Sequence, residues 1–280
     1  MSTNETEVKQ SRGRIWLSAL AGNATISTAG TGAVIYADAP LAADKARFIA
    51  IVPDANNKFP RARTGEVGLE QGWNLAKLVR DTMAADKDGA RRPIVAVVDV
   101  TSQAYGKREE MLGIHLACAA AANAYAEARM AGHPIVALLV GKCMSGAFLA
   151  HGYQANRLVA LDDPNVLVHA MGKQAAARIT RRPVSELDIL GDKIPPMSYD
   201  IRNYSKLGLL HALISGVNAN APAAADIEKV QKVLSEAVTD IRSSGSTDLS
   251  CRLTSPAAKD LRAASIKVRQ YLAQEWNASN

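Results

Sequence analysis

Two short apolar runs with nearly the same sequence occupy the middle of the chain. RRPIVAVVDV ends at residue 100 and GHPIVALLVG ends at residue 141, and both are rich in β-branched residues. Continuous apolar runs of this length are typical of strands that are buried on both faces of a parallel sheet. The Ala-rich segment between them, EEMLGIHLACAAAANAYAEARMA, predicts a helix. The three segments therefore predict one right-handed strand–helix–strand unit.

The N-terminal part of the chain predicts a strand, a loop and two helices. GTGAVIYADAP (30–40) predicts a strand, and AADKARFIAIVPDA (42–55) predicts a helix that stops near a proline. The polar stretch 56–68 is rich in turn-forming residues and predicts a loop. A helix is predicted over 69–85, because apolar residues recur there on one face, namely Trp73, Leu75, Leu78, Val79 and Met83.

The second half of the chain becomes mainly helical. We expect a helix from about Gly146 to Gln154, then two short strands, RLVAL (157–161) and VLVHA (166–170), and a helix beginning at KQAAARIT. Two amphipathic helices follow, one with Ile227, Val230, Leu234, Val238 and Ile241 on its apolar face and the other with Leu261, Ala264, Val268, Leu272 and Trp276. We predict a flexible tail over 1–14 and a single α/β domain over 15–280, with C-terminal helices over 222–280.

Composition and charge narrow the classes of function. The 280 residues are 48% hydrophobic, but no apolar run approaches the ~20 residues of a membrane span, and the polar N-terminus lacks the apolar region of a secretory signal. Three cysteines without C-x-x-C spacing indicate reduced thiols and a cytoplasmic location. The net charge of +6 is scattered in small groups. Scattered charge of this kind favours an ordinary solvated surface, and the alternative is attraction to an acidic macromolecule or a phosphorylated ligand. Nucleic acid is disfavoured, because no aromatic-interleaved basic stripe is present.

Several familiar motifs are incomplete in this sequence. The third glycine of a dinucleotide loop starting at Gly30 would fall at Ile35, so that motif fails. A G-x-S-x-G nucleophile elbow around Ser145 would need glycines where Cys143 and Ala147 stand. Cys143 follows an apolar strand, which favours a buried structural thiol over a nucleophile. The five histidines lack metal-ligand spacing, so we expect no metal site.

The candidate chemistry lies in GKCMSGAFLAHG (141–152), where the second apolar run gives way to a helix. The main-chain N–H groups of Gly146 and Ala147 stand where a helix start leaves donors unpaired, so they can hold a negatively charged oxygen. A second donor is expected in the loop after the first run, around Gly106. The alternative is that these small residues serve close packing alone, and residue types do not decide between the two.

Longer stretches resemble the crotonase superfamily and, more closely, the carboxyltransferase subunits of acyl-CoA carboxylases. ADKARFIAIVPDA resembles the carboxyltransferase segment A-x-K-A-A-R-F-I, and AYAEARMAGHPIVALLVGKCMSGAF resembles A-Y-A-E-A-T-V-P-x-I-x-V-I-x-x-K-A-Y-G-G-A-Y. The similarity covers about residues 30–215. It implies an α/β crotonase-like (ClpP/crotonase) ββα superhelix with a helical C-terminal elaboration.

This sequence departs from the carboxyltransferase pattern at two motifs. D-V-P-G-F appears as Asp99-Val100-Thr101-Ser102-Gln103, and the Gly-Gly pair appears as Ser145-Gly146. The chain also lacks a second crotonase-like half, and these differences argue against biotin use. The Arg-rich segment 171–213, which contains Pro-Pro, resembles the gamma subunits of biotin-independent malonate decarboxylases.

That resemblance implies an enzyme subunit, a carboxy-lyase that acts on malonyl thioester carried by an acyl carrier protein. A beta subunit is expected to supply the other half of the active site, and an alpha transferase subunit to load the carrier with malonate. The CoA-like prosthetic arm of the carrier would enter the site, with no cofactor bound directly. The candidate catalytic residues are Gly146, Ala147, Ser145, Gly106 and His169, the last as a proton donor or as a structural histidine.

Three alternatives remain at this point. One is a carboxyltransferase subunit of a biotin-dependent acyl-CoA carboxylase or decarboxylase. Another is a Clp-like serine hydrolase, because the segment around Ser145 also resembles Clp-type peptidases, with His169 and Asp192 as further triad members. The third is a non-catalytic partner subunit, in which the turn at Gly146 only packs.

Overall fold

An eight-stranded sheet forms the centre of the computed structural model, which describes residues 10–278. The strands are β1 (Ser27–Thr28), β2 (Val34–Leu41), β3 (Asp44–Ile51), β4 (Ile94–Val100), β5 (Ile135–Met144), β6 (Arg157–Leu161), β7 (Leu167–His169) and β8 (Ala212–Ile214). Their order across the sheet is β1-β2-β3-β4-β5-β6-β8, with β7 beside the end of β5. Strands β1 to β3 are antiparallel, and all pairs from β3 onward are parallel.

Helices cover the sheet and continue beyond its last strand. Before β6 they are α1 (Arg12–Ala21), α2 (Leu69–Ala85), α3 (Lys107–Met111), α4 (Ile114–Met130) and α5 (Ser145–Ala150), with a 3₁₀ turn over Pro60–Thr64. After β6 they are α6 (Lys173–Thr180), α7 (Val184–Lys193), α8 (Ile201–Lys206), α9 (Ala224–Ser244), α10 (Cys251–Thr254), α11 (Pro256–Leu261) and α12 (Ala263–Ala278), with a 3₁₀ turn over Pro195–Met197.

The predicted strand–helix–strand unit is confirmed. The two apolar runs are the parallel neighbours β4 and β5, and α4 is the long helix that connects them. Small residues let the helices approach closely: a Cβ added at Gly72 of α2 would lie 2.7 Å from the main-chain carbonyl of Ala117 in α4. The predicted helix over 69–85 matches α2, although Trp73 is half exposed and lies outside the buried face.

Strand β5 has different neighbours along its length. Val136–Leu139 pairs with β6, whereas Lys142–Met144 pairs with β7. The change follows a shift in the pairing register between β4 and β5. At this shift, Asp99 accepts a hydrogen bond of 3.1 Å from the main-chain N–H of Lys142. This second pairing carries the end of β5 toward β7 and fixes the position of the next residue, Ser145.

The predicted helix over 42–55 is wrong, because this segment forms β3 in a hairpin with β2. Both faces of β3 are covered, so Phe48, Ile49 and Ala50 are all buried and the strand shows no polar–apolar alternation. The hairpin turn is made by two alanines, with Ala42 at φ +51°, and so lacks the Gly or Asn that predicts such turns.

Two predicted boundaries also need correction. The tail was predicted over 1–14, but α1 begins at Arg12, whose guanidinium pairs with Asp163 at 2.8 Å; residues 1–9 lie outside the described part. The helix predicted to reach Gln154 ends at Ala150. It stops there because His151 is extended and Gly152 has φ +107°.

The two predicted C-terminal amphipathic helices differ in burial. Helix α9 packs its apolar face on the sheet, burying Val230, Leu234, Ala237, Val238 and Ile241. Helix α12 begins at Ala263 and buries none of its residues within this chain, so its predicted apolar face does not contribute to the core. None of the helices between residues 10 and 278 is both long enough and apolar enough to cross a membrane.

Candidate active site

The turn between β5 and α5 holds Ser145 in an unusual backbone conformation. Its φ is +52°, in the left-handed region, which costs a non-glycine residue roughly 1–2 kcal/mol. The Ser145 Oγ accepts a hydrogen bond of 3.0 Å from the main-chain N–H of Gln103, in the loop after β4. The ends of two neighbouring strands are thus joined at this turn.

Two main-chain donors follow Ser145. Within residues 10–278, the N–H groups of Gly146 and Ala147 form no hydrogen bond, because nothing precedes them in the helix to accept one. The Gln103 side chain lies against Gly146, and a Cβ added at Gly146 would overlap the Gln103 Oε1. Gly146 borders a cavity, whereas Ala147 is fully buried and does not line it.

The cavity beside the turn has a volume of about 390 Å³ and a mainly apolar wall. It is lined by Ser145, Gly146, Phe148, Leu149, Tyr153, Val168, His169, Ala170, Pro195, Pro196, Ser198, Tyr204 and Leu207. The rings of Phe148 and Tyr153 meet edge to face, with centroids 5.2 Å apart. A pocket with a mainly apolar wall suits the removal of water from a bound carboxylate.

His169, the last residue of β7, lines this cavity beside the turn. Its ring stacks on Tyr199 with centroids 3.9 Å apart, and its Nδ1 lies 3.1 Å from the main-chain oxygen of Met171 and 3.2 Å from the Met171 nitrogen. Burial lowers the pKa of His169 below its usual 6.5.

The Ser145–His169–Asp192 triad is wrong. Within the described part of the chain, Ser145 and His169 form no hydrogen bond with each other, and the Nδ1 of His169 contacts main-chain atoms of Met171 in place of a carboxylate. Asp192 is exposed on α7 and borders a different depression. Without a base and an orienting acid, the Ser145 hydroxyl lacks the activation that a serine nucleophile needs.

Gly106 does not line the cavity, so it is not the second donor that the sequence predicted. Gly106 precedes α3 and packs against the Glu109 side chain, away from the cavity wall. The residue of this loop that reaches the turn is Gln103. Cys143 is fully buried, and burial raises the pKa of its thiol well above the usual range, as expected for a structural cysteine.

Sequence reasoning missed most of the cavity wall. Tyr153 and Tyr204 come from separate elements, and only the fold brings them together. Pro195 and Pro196 carried a signal, because a Pro-Pro pair in a loop holds the chain rigidly. Gln103 could also have been singled out, because it replaces the last residue of the carboxyltransferase motif D-V-P-G-F.

Comparisons with known proteins identify the family of this chain. The family model for the malonate decarboxylase gamma subunit, MdcE, matches residues 62–276. A chain in the crystal structure of a Pseudomonas malonate decarboxylase hetero-tetramer in complex with coenzyme A is 52% identical, with a TM-score of 0.88, covering 95% of this chain and 100% of that one. The corresponding chain of the Pseudomonas MdcD–MdcE hetero-dimer is also 52% identical, with a TM-score of 0.87 and the same coverage.

More distant relatives share part of the chain or the fold alone. The malonyl-S-ACP:biotin-protein carboxyltransferase MADD of Malonomonas rubra is 36% identical over 167 residues, which are 58% of this chain and 57% of that relative's length. Transcarboxylase 12S is 18% identical, with a TM-score of 0.61, covering 81% of this chain and 41% of that one. The predicted crotonase-like fold is confirmed, and the chain belongs to the malonate decarboxylase gamma subunit family.

Proposed function

We propose that this chain is half of a carboxy-lyase site that converts malonyl thioester, carried on an acyl carrier protein, into acetyl thioester and CO2. The observation that carries the proposal is the turn at Ser145–Gly146, which presents the unpaired Gly146 N–H beside a mainly apolar cavity. A reaction without a covalent intermediate suits this site, since Ser145 lacks the partners of a nucleophile.

The chemistry requires few groups. When the carbon–carboxylate bond breaks, its electron pair moves into an enolate and places negative charge on the thioester oxygen. The Gly146 N–H is our candidate for holding this oxygen, and one such donor is typically worth ~3 kcal/mol of barrier. Ala147, the other donor predicted from the sequence, does not line the cavity. A proton then adds to the carbon. His169 borders the cavity and is the candidate on this chain to deliver it.

A beta subunit is proposed as the other half of the site. Three solved relatives that are 51–52% identical are assemblies of unlike chains, a hetero-dimer and hetero-tetramers. On this chain, large apolar side chains near the loop that carries Gln103 face solvent, namely Tyr105, Met111, Leu112 and Leu116. Exposed apolar surface of this kind is typical of protein interfaces. Leu149, which lines the cavity, is also exposed, so a partner seated here would cover the site.

An acidic acyl carrier protein is proposed as the substrate carrier. Residues 171–182 include Lys173, Arg178, Arg181 and Arg182 and no acidic residue. This segment begins directly after Ala170, which lines the cavity. Arg178 and Arg181 are exposed and form no ion pair among residues 10–278. Charge complementarity would speed association and place the CoA-like prosthetic arm near the cavity.

The remaining expectations stay proposals. We propose that an alpha transferase subunit loads the carrier, that biotin takes no part, and that the enzyme works in the cytoplasm. Free thiols at all three cysteines support the last proposal. No set of three or more His, Cys, Asp or Glu side chains between residues 10 and 278 is arranged to hold a metal ion, and the proposed chemistry does not call for one.

The experiment that tests the function is reconstitution. This chain is co-purified with its beta subunit, and CO2 release from malonyl carrier protein is followed with and without avidin. Release that avidin does not change supports the proposal, while inhibition by avidin favours the biotin-dependent alternative. A complex that forms but releases no CO2 overturns the function.

The same assay tests the carrier surface. Arg178→Glu with Arg181→Glu should lower kcat/KM for malonyl carrier protein more than kcat/KM for malonyl-CoA, because CoA carries negative phosphates but lacks the acidic protein surface of the carrier. Lys87→Glu with Lys232→Glu makes the same change of charge at other exposed positions and serves as the control. Equal losses in both double variants would point to net charge and remove the docking role.

A further inference from the structure

The hydroxyl of Ser145 has an unused hydrogen-bond donor. A serine hydroxyl offers one proton and two acceptor lone pairs. The main-chain N–H of Gln103 occupies one of the lone pairs at 3.0 Å. No group among residues 10–278 accepts the Ser145 proton, although the residue is only 9% exposed. Since Ser145 also lines the cavity, a bound ligand is the natural acceptor.

The position of this hydroxyl is rigid. Gln103, which holds it, belongs to a loop that is itself held by Val67: the Val67 N–H donates to Ser102 at 2.9 Å, and the Ala104 N–H donates to Val67 at 2.8 Å. The Gln103 N–H therefore has a fixed direction, and the Ser145 oxygen is held by it. When an N–H group donates to one lone pair of a hydroxyl oxygen, the hydroxyl proton points away from that N–H group.

The backbone gives a second, independent argument. A φ of +52° suits glycine and strains serine, so a residue chosen for backbone conformation alone would be glycine. Serine occupies this position in spite of the strain. Its side chain consequently serves a purpose that glycine would not, and the missing base excludes nucleophilic attack as that purpose.

We propose that the Ser145 hydroxyl donates a hydrogen bond to the acyl oxygen of the substrate as that oxygen becomes negatively charged. Gln103 is a positioning residue, because its main-chain N–H orients the donor without touching the substrate. This inference rests on the proposed function. It adds a side-chain donor to the main-chain donors of the turn, and no covalent bond to Ser145 forms at any step.

The test uses the complex with the beta subunit and compares Ser145→Gly, Ser145→Ala and Ser145→Cys. The first variant relieves the backbone strain and removes the donor. We expect kcat to fall ~10²-fold in both Ser145→Gly and Ser145→Ala, with KM changed little, since a donor used in the transition state acts mainly on kcat. Ser145→Cys keeps a weak donor and should retain intermediate activity.

Ala42→Gly is the matched control, because Ala42 has almost the same φ, +51°, in a hairpin turn outside the cavity wall. It should keep full activity. Ser145→Gly with wild-type kcat, in a complex that assembles normally, would overturn the inference and leave the function intact. Failure of the wild-type complex to release CO2 would overturn the function itself. Loss of assembly or of thermal stability in parallel with activity would assign Ser145 a structural role and also overturn the inference.

Discussion

The side-chain oxygen of Gln103 occupies the space that a Cβ on Gly146 would need. Glycine is therefore required at residue 146 for a reason that the turn alone does not explain. The side-chain carboxamide of Gln103, in the loop after β4, lies against the Cα of Gly146 at the start of α5. Any ligand that approaches the Gly146 N–H does so beside Gln103, which makes this pair the most sensitive point of the proposed site.

Gly146→Ala should abolish most of the decarboxylation. The new methyl group would collide with Gln103 and shift the donors of the turn, so we expect kcat to fall between ~10²- and 10³-fold, the usual effect of losing one oxyanion donor. Steady-state CO2 release by the complex measures it. Gly89→Ala is the control, since an added Cβ meets nothing within 4 Å there.

The double variant Gly146→Ala with Gln103→Ala separates the two possible causes. If the methyl group blocks the ligand, the double variant stays inactive. Recovery of activity would mean that the collision with Gln103 was the whole effect and that no ligand approaches Gly146 closely. Wild-type activity in Gly146→Ala would favour the non-catalytic partner subunit.

Ser145 should not react with a fluorophosphonate probe. Its Oγ accepts a hydrogen bond from Gln103, and His169 is not bonded to it, so no base removes its proton. Intact-mass spectrometry of the complex after exposure to the probe checks this, with a serine peptidase treated in parallel. Stoichiometric labelling of Ser145 would restore the hydrolase alternative.

Stability should fall as the pH drops from 7 to 5, in part because of His151. Burial lowers the pKa of His151 to about 4; its Nε2 donates to the Val97 oxygen at 3.2 Å, and its Nδ1 accepts from the Tyr125 hydroxyl at 3.1 Å. The unfolded chain takes up this proton near pH 6.5, whereas the folded chain does not take it up until about pH 4. His151 therefore removes about 2 kcal/mol of unfolding free energy between pH 7 and pH 5.

Urea unfolding followed by circular dichroism at both pH values measures this loss. His151→Gln keeps a donor and an acceptor in the same place and should reduce the loss by about 2 kcal/mol. His115→Gln changes an exposed histidine and should keep the wild-type dependence on pH. Equal dependence in the two variants would remove His151 as the cause.

The three thiols should react with iodoacetamide in a fixed order. Cys251 is partly exposed and should react first. Burial, together with the charge of Glu110, raises the pKa of Cys118 to about 11, so it should react slowly. Cys143 is fully buried and should react only after unfolding. Peptide mass spectrometry over a time course follows each site, and early alkylation of Cys143 in the folded protein would contradict its complete burial.

Strong periodicity and uninterrupted apolar runs explain which elements could be predicted. The helix over 69–85 and the paired runs at 94–100 and 135–144 depend on local patterns that survive folding. The segment 44–51 was assigned to a helix because β3 is covered on both faces and its turn contains two alanines. Tertiary contacts make this segment a strand, and no local sequence pattern indicates those contacts.

The site was predictable where it depends on the backbone and not where it depends on side chains from distant elements. Small residues after an apolar strand pointed to Ser145 and Gly146. By contrast, Tyr153, Tyr204 and the Pro195–Pro196 pair reach the cavity from three separate elements. Asp192 illustrates the reverse error, since a family pattern places it in a triad with Ser145, whereas in this chain it borders a different depression.

The change of neighbours along β5 makes the spacing of residues 140–145 as important as their identity. Because side chains alternate between the two faces of a strand, deleting one residue after Leu139 would turn every later side chain over. Ser145 would then point into the protein interior, with Gly146 displaced by one position along the strand axis. Length variation should consequently be absent from this stretch in active homologues, even where individual side chains differ.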